Sequence, residues 1–450
     1  MQMNRGGYSW AGSPGLVGLL AVVFLTFGLR GAASGREELA REVMQNETLT
    51  AVVKRADALL ASGLTAGSGY GEVWIRDLNT FIEPALGVVD SKVLGEALLR
   101  FFAFQGAEGD IVDGYIPREK ANVGYQYRES DLASGYLAHK NTVETDQEAS
   151  LVQAVRKYVR VTGDTAVLQE RVDGKRVVDR LGWALDYVHR HRFSVDYGLV
   201  WGATTVDWGD VQPEHEWGVE LDESSHRALD IYDNAMFLIA IGDYISMVPE
   251  GSEEAGKWHR VSESVRASVR KHLWDAERQK FRPHLYLEGS PFPAGFVEDE
   301  VHYHGGTAVA IEAGLLSDGE VRVVLGHMRE NVRRAGASSI GLTVYPVYPQ
   351  GTFKNRGMGP YSYQNGGDWC WFGGRMIQQL IRLGMMEDAY RELLPMVERV
   401  ERHGGFYEWW TPDNQPRGSG QFRGSAGVLS VAARQLRDWA AGVLLERKPE

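Results

Sequence analysis

What most constrains the fold is an alternation that runs the length of the chain. Apolar residues recur at helical spacing in about twelve stretches, and after the first these stretches come in close pairs. The first covers Arg36 to Ser62. The later ones run near 78–86 and 91–105, 142–161 and 172–190, 224–247 and 253–274, 307–316 and 320–334, 371–383 and 386–402, and 425–445. Links within a pair are short. Links between pairs are longer, hold most of the Trp, Tyr and Gly residues, and carry carboxylates among them. No stretch shows strand alternation between hairpin turns, which argues against a β domain. Six helical hairpins with long loops at one end predict a closed all-α ring, an (α/α)6 barrel, as one domain over residues 36–450. A helical solenoid is the alternative, but it would repeat a motif at a fixed period, and none is present.

The loops carry the chemistry, as loops on a rigid scaffold usually do. Trp201-Gly-Ala-Thr-Thr-Val-Asp207-Trp208-Gly-Asp210 sets two carboxylates three residues apart among indoles and glycines. Flat aromatic faces stack on sugar C–H faces, and carboxylates accept from sugar hydroxyls. A carboxylic acid held neutral can also protonate a glycosidic oxygen. Taken alone, Asp-Trp-Gly-Asp is equally at home as a turn that caps a helix. The neighbouring loops repeat the theme: Trp74-Ile-Arg76-Asp77, Asp113-Gly-Tyr115, Tyr363-Gln-Asn365-Gly-Gly-Asp368-Trp369 and Phe406-Tyr-Glu408-Trp409-Trp410. A carboxylate inside Phe-Tyr-Glu-Trp-Trp is costly to bury without a task. His302, Tyr303 and His304 share a further loop and would be the acid–base groups if the barrel served an epimerase or a lyase.

Charge and cysteine content narrow the classes. The net charge of −12 argues against nucleic acid as a partner, because phosphate recognition needs a basic face. A single cysteine, Cys370, excludes an intramolecular disulfide and a Cys-based zinc site. No His-Glu-x-x-His pattern occurs, so neither a metal nor another cofactor is expected. Residues 1–35 stand apart. Arg5 precedes an apolar run from Gly15 to Leu29, and the small residues Gly31, Ala32, Ala33 and Ser34 follow. This reads as a secretory signal peptide or an uncleaved anchor, with an extracellular or membrane-anchored destination. Asn46-Glu-Thr48 is a glycosylation sequon in such a compartment.

The separated motifs resemble those of the (α/α)6-barrel glycosidases of glycoside hydrolase family 63 and their relatives, the trehalases, neutral invertases and debranching glucosidases. Thr204-Thr-Val-Asp207-Trp208 resembles the loop that carries the general acid in that family, and Phe406-Tyr-Glu408 resembles the loop that carries the general base. Asp230-Ile-Tyr-Asp233-Asn resembles the start of the helix after the acid loop. Trp74-Ile-Arg76-Asp77 is similar to a segment that lines the sugar subsite, and Tyr363 to Trp369 is similar to a segment before a late inner helix. The residues before Asp207 are Thr-Thr-Val where the family has Glu-Ser-Gly, which leaves Asp210 as a rival acid. The extra β domain of many members has no counterpart. In its compact length the chain is similar to the subgroup that hydrolyses mannosylglycerate or glucosylglycerate.

The resemblance implies an inverting glycoside hydrolase for a short α-linked glucoside or mannoside. Asp207 would be the acid and Glu408 the base. Trp74, Arg76, Asp77, Tyr115, Trp208, Asp210, Asn365, Asp368, Trp369 and Trp409 would bind a small carbohydrate. A carbohydrate-binding protein that lost catalysis is the remaining alternative.

Overall fold

A computed structural model describes residues 35–121, 126–216 and 219–446. The leader expected at the N-terminus falls outside the described residues but for its last position. Among the described residues, no helix is long and apolar enough to cross a membrane.

The chain divides into two compact units, residues 1–47 with 436–450 and residues 48–435. In the smaller unit, helix α1 spans 35–45, and Arg36 approaches Glu446 at 4.0 Å. The larger unit is built from helical hairpins. Its helices are α2 (Glu47–Leu60), α3 (Ile75–Ala85), α4 (Ser91–Ala103), α5 (Gln147–Thr162), α6 (Val177–His191), α7 (Ile231–Ile245), α8 (Glu253–His272), α9 (His304–Glu312), α10 (Asp318–Ala335), α11 (Cys370–Arg382), α12 (Met386–His403) and the first part of α13 (Arg423–Leu445). The single helix expected over 36–62 is interrupted at Asn46.

Odd-numbered helices from α3 to α13 form the inner ring. Asn79 of α3 donates to Gln153 of α5 at 3.0 Å, and Gln153 donates to the Met236 carbonyl of α7 at 3.1 Å. Gly306 of α9 lies so close to Ile231 of α7 that a Cβ there would come within 2.7 Å of it. Arg375 of α11 pairs with Glu312 of α9 at 2.9 Å, and Gln378 of α11 donates to the Val428 carbonyl of α13 at 2.9 Å. Gly427 of α13 then packs on Phe81 of α3, which closes the ring.

The two layers differ in sequence for a physical reason. Every residue of α9 from His304 to Ile311 is buried, and α5 is nearly as enclosed, because an inner helix has neighbours on all sides. In outer α8, only Ala255, Trp258, Val265 and Val269 are buried, so one apolar stripe suffices. Left-handed glycines stop α5 at Gly163 and α12 at Gly404. A capping box, Ser317 with Glu320, starts α10.

Short β ribbons brace the loops at the N-terminal end of the inner helices. The largest pairs β1 (Val73–Trp74) with β2 (Gly114–Pro117) and β2 with β3 (Tyr136–His139), all antiparallel. These ribbons do not form a separate β domain.

Candidate active site

A cavity of about 570 Å³ opens among the loops that precede the inner helices. Five of the six loops line it. The first supplies Tyr70, Trp74, Arg76 and Asp77, the second Asp113, His139 and Glu144, and the third Trp208, Asp210 and Val211. The loop before α11 contributes Tyr363, Gln364 and Trp369, the first turn of α11 adds Trp371, and the loop before α13 contributes Glu408, Trp409 and Phe422.

Glu408 is aimed by a break in its strand. Tyr407–Trp410 pairs with Pro416–Gly420, and the register shifts between Tyr407 and Trp409. A bulge at this point re-aims the side chain between them. Its carboxylate accepts from the Ser419 backbone N–H at 2.7 Å and from the Tyr70 hydroxyl at 3.0 Å. Gly418 is required opposite it. Gly418 has a φ of 67°, and a Cβ there would lie 2.4 Å from Glu408 Oε2. Burial pushes the Glu408 carboxyl up, while the Ser419 and Tyr70 donors pull it down.

Asp207 and Asp210 point to different places. Asp207 adopts a φ of 56°, unusual for a residue other than glycine. Its carboxylate accepts from the backbone N–H of Gly305 at 2.7 Å and of Gly306 at 2.8 Å, at the first turn of α9. A helix N-terminus favours an anion there. A Cβ on Gly305 or Gly306 would lie 2.8 or 2.7 Å from those oxygens, so only glycine admits the contact. Burial pushes the Asp207 carboxyl up to about 7, against the pull of the two amides. Asp207 lies in a small hollow behind the cavity with Asp230 and Asp233, and the cavity wall holds Asp210 instead. Of the two carboxylates the sequence offered, Asp207 is turned inward to α9 and does not line the cavity, while Asp210, the rival, does. Among the described residues, Asp210 accepts a single side-chain hydrogen bond, from Gln364 Nε2 at 2.7 Å.

Aromatic rings form the apolar wall. Trp208 meets Trp369 edge to face with centroids 4.6 Å apart, and meets Trp371 likewise at 5.1 Å. Tyr363 packs against both Trp369 and Trp409. A charged cluster adjoins this wall, with Arg76 over the Trp371 ring at 5.9 Å. Arg76 is gripped bidentately by Asp146 at 2.7 and 3.1 Å and also pairs with Glu144. Tyr232 donates to the same Asp146 at 2.7 Å. Burial pushes both Asp77 and Asp113 up to about 7, with Arg76 opposing it in each case.

Three residues expected in the sugar subsite serve the scaffold. Tyr115 is 2% exposed, packs edge to face on Phe101 and Tyr136, and donates to the Ala97 carbonyl. Asn365 ties its own loop, accepting from the Tyr348 N–H and donating to the Tyr348 and Met358 carbonyls. Asp368 is fully buried in an ion pair with Arg399 at 2.7 Å and accepts from Ser339. Each contact involves a residue distant from the motif in sequence or hidden in the turn's own geometry, so residue type alone gave no warning. Conversely, Tyr70, Asp113, Glu144, Tyr363 and Gln364 line the cavity without having been assigned to it. Asp113 and Glu144 lay within loops already rich in site-type residues, and that was the only available signal.

His302, Tyr303 and His304 do not reach the cavity. His302 lines a separate hollow with His327 and Lys280, Tyr303 bonds the Tyr348 hydroxyl at 2.7 Å, and His304 meets Asn331 at 3.0 Å. Among the described residues, no group of three or more His, Cys, Asp or Glu side chains is placed to hold a metal.

No protein-family model and no curated protein matches the sequence. Solved structures do match by fold. A GH63 mannosylglycerate hydrolase from Thermus thermophilus in complex with glucose superposes with a TM-score of 0.59 at 16% identity, over 88% of this chain and 100% of that one. The same enzyme in complex with Tris and D-glycerate gives 0.61 at 16% identity, over 85% and 99%. A rhamnosidase from Klebsiella oxytoca with rhamnose bound gives 0.57 at 13% identity, over 87% of this chain and 64% of that one. The ring of helical hairpins with its loops gathered at one end is the six-hairpin (α/α)6 glycosidase fold.

Proposed function

We propose that the chain is a glycoside hydrolase acting on a short α-linked glucoside or mannoside with inversion, with Asp210 as the general acid and Glu408 as the general base. The observation that carries this reading is that Asp210 and Glu408, from loops of different hairpins, line one cavity walled by Trp74, Trp208, Trp369 and Trp409. The indoles offer stacking faces for a sugar ring, and Asp77 and Asp113 offer acceptors for its hydroxyls. Asp210 protonates the leaving oxygen. Glu408 takes a proton from a water that attacks the opposite face of the anomeric carbon. Burial that raises the Glu408 carboxyl brings its basicity nearer to working pH, and the Ser419 and Tyr70 donors keep it ionised there. Asp207 anchors the acid loop to α9 and does not exchange protons with substrate. The fold shared with solved glycosidases supports the reaction class, and the cavity supports the residue roles.

The test is a hydrolysis screen of the purified chain on α-glucosides, α-mannosides, trehalose and sucrose, with the first-formed anomer followed by NMR. Release of sugar with the configuration opposite to that of the substrate is expected. No turnover on any of them, with sugar still bound, would point to a binding protein, and a retained anomer would refute the water-activating role of Glu408. Secretion or membrane anchoring through the leader is a separate proposal, tested by fractionating cells that express the tagged full-length chain.

A further inference from the structure

The charge of the cavity selects among the glycosides that a hydrolase of this fold could take. Five carboxylates line it: Asp77, Asp113, Glu144, Asp210 and Glu408. Arg76 is the one Lys or Arg side chain lining it among the described residues, and its Nε and Nη2 are engaged by Asp146 and Glu144. His139 brings no charge near neutral pH, since burial and the adjacent Lys140 hold its imidazole down to about 4. The stretches 122–125 and 217–218 contain no Lys, Arg or His. Among the described residues, the carboxyls of Asp77 and Asp113 have no hydrogen-bond donor, and the one cation lining the cavity is already paired with two carboxylates. Above about pH 7, where Asp77 and Asp113 are ionised, an acidic group on the substrate would enter a low-dielectric space crowded with like charge, whose one cation is already shared by two carboxylates.

We propose that this cavity takes glycosides that carry no acidic group, and that it rejects an aglycone carboxylate such as that of glycerate. The inference rests on the hydrolase reading for its substrate class. It sets this chain apart in specificity from the mannosylglycerate hydrolase whose fold it shares. Hydroxyl donors of a neutral sugar and aglycone satisfy Asp77 and Asp113, and a carboxylate has no proton to offer them.

The experiment compares α-mannosylglycerate with its primary amide, a pair of nearly equal shape that differs in charge, on the full chain at about pH 8, where Asp77 and Asp113, pushed up to about 7, are ionised. Both kcat/KM and calorimetric affinity are measured. The amide should be favoured by about 100-fold, the size of a like-charge penalty of a few kcal/mol. Acid taken as well as amide, or better, overturns the proposal, and so does failure of the amide to bind. If the amide binds tightly and the acid weakly but neither is cleaved, the charge preference stands and the hydrolase reading falls. Asp113→Asn separates charge from shape. It should narrow the amide-to-acid ratio by roughly tenfold, and a ratio that stays put would mean that shape sets it, which also overturns the proposal.

Discussion

The Tyr70 hydroxyl donates to Glu408 Oε1 at 3.0 Å, joining residues 338 positions apart. Burial and the Glu408 charge push the Tyr70 phenol far up, so it remains a donor at any working pH. Tyr70→Phe therefore removes a hydrogen bond that favours the ionised base. Turnover should fall about 10- to 100-fold, the equivalent of a charged hydrogen bond worth roughly 1.5–3 kcal/mol. The carboxyl then ionises at higher pH, so the acidic limb of the pH–rate profile should move up. A profile that keeps its limb while the rate falls would assign Tyr70 to substrate binding alone.

Asp207 and Asp210 should separate cleanly by phenotype. Asp210→Asn keeps the size and the Gln364 contact of the wall residue but removes its proton, so turnover should drop by about 100- to 10,000-fold with melting unchanged. Asp207→Ala leaves the amides of Gly305 and Gly306 buried without their acceptor, at a cost of roughly 1–3 kcal/mol for each orphaned group. Denaturant melts against turnover per folded molecule distinguish the two. Loss of turnover in Asp207→Asn with Asp210→Asn still active would return the acid role to Asp207.

Gly306→Ala tests the same anchor from the other side. The added methyl would sit 2.7 Å from both Asp207 Oδ1 and Ile231 Cγ2. A clash in a packed core costs typically about 1–3 kcal/mol. The variant should be less stable by that amount, and its activity should decline with the displaced Asp210 loop. Unchanged stability by urea melt would mean that α9 can shift, so that Asp207 does not hold it rigidly.

Asp113 carries a stability cost with a defined pH window. Its folded value is pushed to about 7 by burial, against an ordinary value near 4. Below about pH 4 the group is protonated in both states and costs nothing. Between about 4 and 7 the unfolded chain ionises first, so stability falls as pH rises, and the loss is complete above about 7. Asp113→Asn carries no charge at any pH. Its melting temperature should match that of the parent near pH 4 and exceed it at pH 8, as thermal melts at the two pH values will show.

Local sequence determined the helices because helical period, capping and stop signals act within a few residues. Helical spacing of apolar residues marked the helical stretches, and glycines stand at ends such as Gly163 and Gly404. Of the loop residues read from the sequence as a site, Trp74, Arg76, Asp77, Trp208, Asp210, Trp369, Glu408 and Trp409 line one cavity. Only the tertiary structure decided which way each loop side chain points. Asp207 and Asp210 are three residues apart and chemically identical, yet one is drawn to amides 98 and 99 residues away while the other faces the cavity. Asp368 is claimed by Arg399, 31 residues on, and Tyr115 by Phe101 and Tyr136. The proposed preference for a substrate without acidic groups likewise rests on the pairing of Arg76 with Asp146, in the next loop 70 residues away. A loop residue's orientation follows from partners brought near by ring closure, and that information is not contained in its neighbours along the chain.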